Sequence, residues 1–181
     1  NFDTVLGNAR GEYFMWAAGD DWWHPRFMST LLKELEAHPE AGVAMCATER
    51  IRDDGKPFDI TRYVGESNPN NMTRTQMFVA LANGMKNRLK YHWYFYGLWR
   101  RAVLSLGRGY SHVSVSHPDG IFMCQFPLAT DFRYVDEVLY VRTYHDTPAE
   151  VRWPHERHIQ LANEDPWAYA RMVMASGPFW L

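Results

Sequence analysis

Two adjacent carboxylates, Asp20 and Asp21, follow an uninterrupted apolar run, Tyr13-Phe14-Met15-Trp16-Ala17-Ala18, with only Gly19 between them. Neighbouring acids on an irregular turn can point in different directions. One can reach a hard divalent cation while the other accepts hydrogen bonds from a sugar or a base. A buried strand ending in such a pair, with a helix opening at Pro25, is how an α/β sheet presents ligands at its carboxyl edge. The same residues also read as an acidic turn that caps the next helix. Spacing leaves both readings open. Trp22 and Trp23 flank the turn, placed either to stack on a sugar ring or to join the core.

Other residues with chemical potential are scattered along the chain. Arg100, Arg101 and Arg142 carry planar N–H pairs that suit a diphosphate, and each also reads as a surface or strand-edge charge. Residues 86–90 are basic, and Tyr91-His92-Trp93-Tyr94-Phe95-Tyr96 follows. That run is either an aromatic core strand or a wall where Trp93 stacks on a sugar while basic groups meet phosphate or a lipid surface. Asp119 opens a helical pattern, and spacing alone makes it a helix cap. His155 and His158 lie three apart, a spacing open to zinc but more typical of a solvated helix face. Neither a G-x-x-x-x-G-K loop nor a serine elbow occurs.

The elements that must position these groups follow from periodicity and punctuation. A helix ends near Arg10, closed by Gly11. Pro25 suits a first helical position, and Phe27, Met28, Leu31, Leu32 and Leu35 then form one apolar face that ends at His38-Pro39. Residues 42–47 read as a buried strand. Asp53-Asp54-Gly55 is a turn, and residues 57–60 return as an edge strand. Thr73 caps a helix running through Leu81, with Gly84 beyond. Residues 101–106 form a short helix and 111–117 an extended segment. Pro118 opens a helix carrying Ile121, Phe122, Phe126 and Leu128. Residues 133–144 are the last strong strand, and 150–174 read as a terminal helix.

Composition sets the bounds. The chain has 181 residues, 46% hydrophobic and 22% charged, which is ordinary for one globular domain and excludes disorder. Aromatic residues make up 15%, with eight tryptophans, a content suited to stacking on sugar rings. A net charge of −2 gives no electrostatic case for nucleic acid. Cys46 and Cys124 lack motif spacing, so two buried thiols in a reducing, cytoplasmic compartment are expected. No signal peptide or bilayer-length apolar run is present.

Asn8-Ala9-Arg10-Gly11-Glu12-Tyr13, the apolar run, and Asp20-Asp21-Trp22-Trp23-His24-Pro25 resemble the middle of a family 2 glycosyltransferase of the GT-A fold. The family's acidic motif is often D-x-D-D, and Ala18 stands here in place of its outer acid. Three later segments resemble the family in the same order: Tyr96 to Leu104, Pro118 to Phe122, and Val138 to Arg142 with His145. Together they span residues 8–146.

The resemblance implies a mixed α/β, Rossmann-like sheet flanked by helices. It also implies that the donor-binding βαβ units lie upstream of Asn1. They would amount to roughly 80–100 residues, as two or three units of ~30 each. The expected organisation is therefore one partial domain. Its metal-motif region is 1–62, its acceptor side 63–150 and its C-terminal helix 151–181.

The implied chemistry is inverting hexosyl transfer from a nucleotide-diphosphate sugar to a saccharide, protein or lipid-linked acceptor, in cell-envelope polysaccharide synthesis. Asp21 would hold Mn²⁺ or Mg²⁺, with His145 a further ligand. Asp20 would face the nucleoside, and Arg100 and Arg142 the diphosphate. Trp22, Trp23 and Trp93 would stack on sugar, and Asp119 would be the general base. Without its upstream part the chain is expected to be inactive. Peripheral membrane association is left open by the basic stretch. The rivals are a metal-dependent hydrolase and a non-catalytic carbohydrate-binding or assembly module.

Overall fold

Residues 41–48 are all buried, and a strand made of them must be covered on both faces. In the computed structural model, which describes residues 2–83, 90–110 and 118–144, that strand is β3 (Ala41–Arg52). It runs parallel to β6 (Asp131–Tyr144) over nearly its whole length, from Ala41↔Asp131 to Arg52↔Tyr144. The other flank of β3 is shared. β5 (Leu98–Arg100) pairs antiparallel at Val43 and Ala44, and β4 (Pro57–Thr61) pairs antiparallel from Thr48 to Ile51. β1 (Tyr13–Phe14) adds to β5, and β2 (Trp22–Trp23) adds to the outer side of β6.

The order is β1-β5-β3-β6-β2, with β4 beside β3. β1 is antiparallel to β5, which is antiparallel to β3, so β1, β3 and β6 point the same way. The turn after β1 therefore leads toward the edge where β3 and β6 end. This mixed sheet with flanking helices is GT-A-like.

α2 (Phe27–Ala37) buries Phe27, Leu31 and Leu35, spaced i, i+4, i+8, against the sheet. Each such burial contributes about 1.5–3 kcal/mol. α3 (Arg74–Ala82) begins with a reciprocal cap: Thr73 Oγ1 accepts the Gln76 N–H, and Gln76 Oε1 accepts the Thr73 N–H at 2.8 Å. The remaining helices are short: α1 (Phe2–Asn8), α4 (Arg101–Leu104) and α5 (Pro118–Met123). No helix among the described residues is long and apolar enough to cross a membrane.

Several elements differ from the sequence reading. The apolar run after Gly11 joins the ladder only at Tyr13 and Phe14. Beyond them Trp16 turns inward and stacks on Phe95 at 4.3 Å. Trp22 and Trp23 form an edge strand, which delays α2 to Phe27. His24 Nδ1 accepts the Arg26 N–H at 3.1 Å on the way. The run Tyr91–Tyr96, read as a strand or a wall, is a 3₁₀ helix. Three residues per turn put Tyr91 and Tyr94 on one side. Their hydroxyls reach the carbonyls of Ser67 and Arg133 at 2.7 and 3.0 Å. A strand would have turned alternate rings outward. Gly97 ends the coil, where a Cβ would stand 2.5 Å from the Ala44 carbonyl oxygen. The expected segments 111–117 and 150–174, with His145, His155 and His158, lie outside the described residues.

Candidate functional site

Tyr140 and Arg142 alternate along β6 and so share one face of the sheet, opposite Thr48 and Arg50 of β3. The turn after β1 swings Asp21 onto this face. Tyr140 Oη–H donates to Asp21 Oδ2, and the Thr143 N–H donates to Oδ1 at 3.1 Å. The Thr143 hydroxyl donates to the carbonyl of Asp20. Two residues more than a hundred positions upstream are thus pinned to the end of β6. Tyr140 is held protonated well above the usual phenol range, by burial first and by the Asp21 charge and hydrogen bond with it.

Arg142 lies over the rings of Trp93 and Tyr96, at 5.3 and 5.0 Å. Its Nη1 is buried and has no hydrogen-bond partner among the described residues. Burial works against its charge, but the oxygens of Tyr140, Tyr96, Asp21 and Asp119 outweigh that, and the guanidinium is held more firmly charged than in water. The Tyr96 hydroxyl is pushed up to about 12, first by burial and then by Asp119, with Asp21 and Asp20 adding to it and Arg142 opposing. Asp20, Asp21, Asp119 and Arg142 are therefore within electrostatic reach of one tyrosine. Asp119, on the first turn of α5, also accepts a hydrogen bond from Tyr110 Oη at 2.8 Å.

The tryptophans divide. Trp22 is half exposed on the edge strand. Trp23 stacks on Tyr140 at 5.6 Å, and its buried Nε1 has no partner among the described residues. Trp93, named for sugar stacking, lies on the inner side of the group. It is buried, and its ring is occupied by Arg142 and, at 5.7 Å, by Arg50. It holds cations in place. Arg50 is itself paired with Asp59 across the β3–β4 ladder.

Arg100, named for the diphosphate, does not lie with the group. Its guanidinium donates to the carbonyls of Ala41 (3.0 Å) and Leu35 (2.7 Å) and to the Tyr13 hydroxyl (3.0 Å). It closes the C-terminal end of α2 at the start of β3. Thr143 pairs with Ile51, ten positions farther along β3 than Ala41, which is roughly 30 Å of strand at ~3.3 Å per residue. Arg101 is likewise engaged, donating to the Gly11 carbonyl at 2.6 Å.

Sequence reasoning missed Tyr96, Tyr110, Tyr140 and Thr143. A signal existed for Tyr140, since Tyr140-x-Arg142-x-Tyr144 puts polar tips on one face of an otherwise apolar strand. Tyr96 and Tyr110 had none, because their positions depend on the 3₁₀ coil and on a glycine turn.

A cation can be accommodated here only in one style. Among the described residues no three His, Cys, Asp or Glu side chains converge, so a closed protein cage is absent there. Asp21 with Asp20 beside it suits Mg²⁺ or Mn²⁺, which bind through one or two carboxylates and take phosphate and water for the rest.

Comparison with known proteins agrees with this architecture. An uncharacterised protein of Mycobacterium bovis and uncharacterised proteins from two strains of Mycobacterium tuberculosis are each 43% identical to this chain over 56 residues. That stretch is 30% of this chain and 16% of each relative. The family model for glycosyl transferase family 2 matches residues 1–100, more than half the chain. That span holds β1, the acidic turn and β3, the elements that bring Asp21 to the sheet edge, and the chain belongs to glycosyl transferase family 2.

Proposed function

We propose that this chain carries the leaving-group and acceptor side of an inverting hexosyltransferase, which moves a sugar from a nucleotide-diphosphate donor to an acceptor hydroxyl. One observation carries the reading: the buried Nη1 of Arg142, unpartnered among the described residues, lies in the field of two carboxylates, Asp21 and Asp119. An unmet donor inside a protein is costly, and an anionic ligand is the partner that would relieve it.

The roles follow from charge and position. Arg142, held by Trp93 and Tyr96, neutralises a diphosphate as it leaves. Asp21, fixed by Tyr140 and Thr143, would hold Mn²⁺ or Mg²⁺ with Asp20 beside it. The ion supplies Lewis-acid stabilisation of phosphate oxygens when bound. Asp119 takes the proton from the attacking acceptor hydroxyl, as a single displacement with inversion requires one base on that side. Trp22, on the open edge, is the indole available to a sugar ring, and the unpartnered Nε1 of Trp23 suits a sugar or phosphate oxygen. The acceptor is a saccharide, or a protein- or lipid-linked one, in cytoplasm or at a membrane surface.

The test is nucleoside diphosphate release by the full-length protein from a panel of nucleotide sugars, with Mn²⁺, Mg²⁺ or chelator, and with and without acceptor saccharides. Acceptor-dependent, metal-dependent release with an inverted anomeric product supports the reading. Release of free sugar regardless of acceptor would point to a hydrolase. No turnover of any nucleotide sugar, together with metal-independent saccharide binding, would point to a binding module.

A further inference from the structure

We propose that Tyr110 is a positioning residue for the Asp119 carboxylate, and that Asp3 on α1 sets Tyr110 in place. The proposal rests on the reading of Asp119 as the general base. Tyr110 Oη–H donates to Asp119 Oδ1 at 2.8 Å. A carboxylate base on a short helix can otherwise rotate about its side-chain torsions. A hydrogen bond to one oxygen restrains the plane in which the carboxylate takes a proton. The bond also favours the ionised carboxylate, the form a base must have.

Tyr110 is itself held from three sides. Its backbone N–H donates to Asp3 Oδ1 at 2.6 Å. The preceding residue, Gly109, has φ +88°, the left-handed region that favours glycine. A Cβ at that position would also stand 3.1 Å from Asp3 Oδ1, so a side chain there would push the Asp3 carboxylate aside by a few tenths of an ångström. The Tyr110 ring packs on Phe2 at 4.3 Å, Phe95 at 5.4 Å and Phe122 at 5.6 Å. Phe122 lies three residues after Asp119 and so on the same side of α5. The ring thus rests on the helix that carries the base, while the hydroxyl reaches the base itself. α1, the 109–110 turn and α5 form one clamp, its outermost members being Phe2 and Phe122.

The experiment is steady-state kinetics of full-length Tyr110→Phe, Asp3→Ala and Asp119→Asn across pH. Tyr110→Phe keeps the ring packing and removes only the hydroxyl. It is expected to lower kcat about tenfold, the loss of one charge-assisted hydrogen bond. Donor KM stays within about twofold, and the acidic limb of the kcat profile moves to higher pH. Asp3→Ala moves the same limb in the same direction by less, with the melting temperature recorded to separate loosening from unfolding. Parental kcat and pH profile in Tyr110→Phe, with Asp119→Asn inactive, overturns the positioning role and leaves the base assignment standing. A raised acceptor KM with an unmoved pH limb overturns it too. Full turnover in Asp119→Asn removes both.

Discussion

Arg142→Met is the sharpest perturbation of the proposed site. The thioether chain fits the slot between Trp93 and Tyr96 but carries no charge and no N–H. The parent guanidinium has one buried nitrogen, Nη1, without a partner among the described residues, and a hydrogen bond from such a group to an anion is worth about 1.5–3 kcal/mol. At about 1.4 kcal/mol per tenfold, binding of an anion at this position should weaken roughly 10- to 150-fold. Inorganic pyrophosphate with Mg²⁺ is a suitable probe, since it carries the diphosphate chemistry without any base. Isothermal titration of parent and variant reads the change directly. Arg142→Lys restores charge but not the planar fork or the ring stacking, and should recover only part of the loss. A urea melt checks that the fold persists, because removing the guanidinium leaves Asp21 and Asp119 without their buried counter-charge, a change that can cost about 3–5 kcal/mol. Equal pyrophosphate affinity in a folded Arg142→Met would mean that the guanidinium serves only as a counter-ion to Asp21 and Asp119, and the diphosphate role would be lost.

Asp21→Asn should lower turnover at least ~100-fold, in the range for loss of one preorganised electrostatic contact, and should abolish the rise in melting temperature that Mn²⁺ gives the parent; an undiminished metal-induced shift in the variant would count against Asp21 as a ligand. Arg100→Met should cost about 2–4 kcal/mol in a denaturant melt, since it removes bonds to Leu35, Ala41 and Tyr13, yet leave pyrophosphate affinity unchanged. Burial pushes the Cys46 and Cys124 thiols from 9.0 up to about 12. Neither should react with iodoacetamide at pH 8 until the protein unfolds. The folded pKa values are raised, so their stabilisation is complete below about pH 9 and fades as pH climbs toward 12; a flat melting temperature over that range would contradict the burial.

Much of the framework was legible because it is local. The helical face and the Thr73 cap are patterns within a few residues of chain; Phe27, Leu31 and Leu35 are buried as expected while Met28 is exposed, and Gln76 adds a return bond to the cap that was not read. β3 was readable as a buried strand, yet it extends to Arg52, because its second half gains partners on both sides and partly buried positions suffice there. What escaped the sequence is relational. The aromatic run 91–96 satisfies strand propensity, and only the distant carbonyls of Ser67 and Arg133 make a tight coil the better solution for its hydroxyls. Arg100 looked like a phosphate ligand because a guanidinium declares its chemistry but not its neighbours. Asp21 and Arg142 were both named as candidates, but nothing in their spacing revealed that Tyr140 and Thr143 would bind one while Trp93 and Tyr96 seat the other.

The long parallel pairing of β3 with β6 has a practical corollary. β6 starts at Asp131, well past the family-matched span that ends at residue 100. A protein cut at that boundary would keep β3, apolar on both faces, with one whole rank of amide and carbonyl groups bare. Such a margin recruits strands from other molecules. Excising the family-matched segment for expression would therefore produce aggregates rather than a smaller folded unit, and any useful dissection of this polypeptide has to carry the chain through Tyr144.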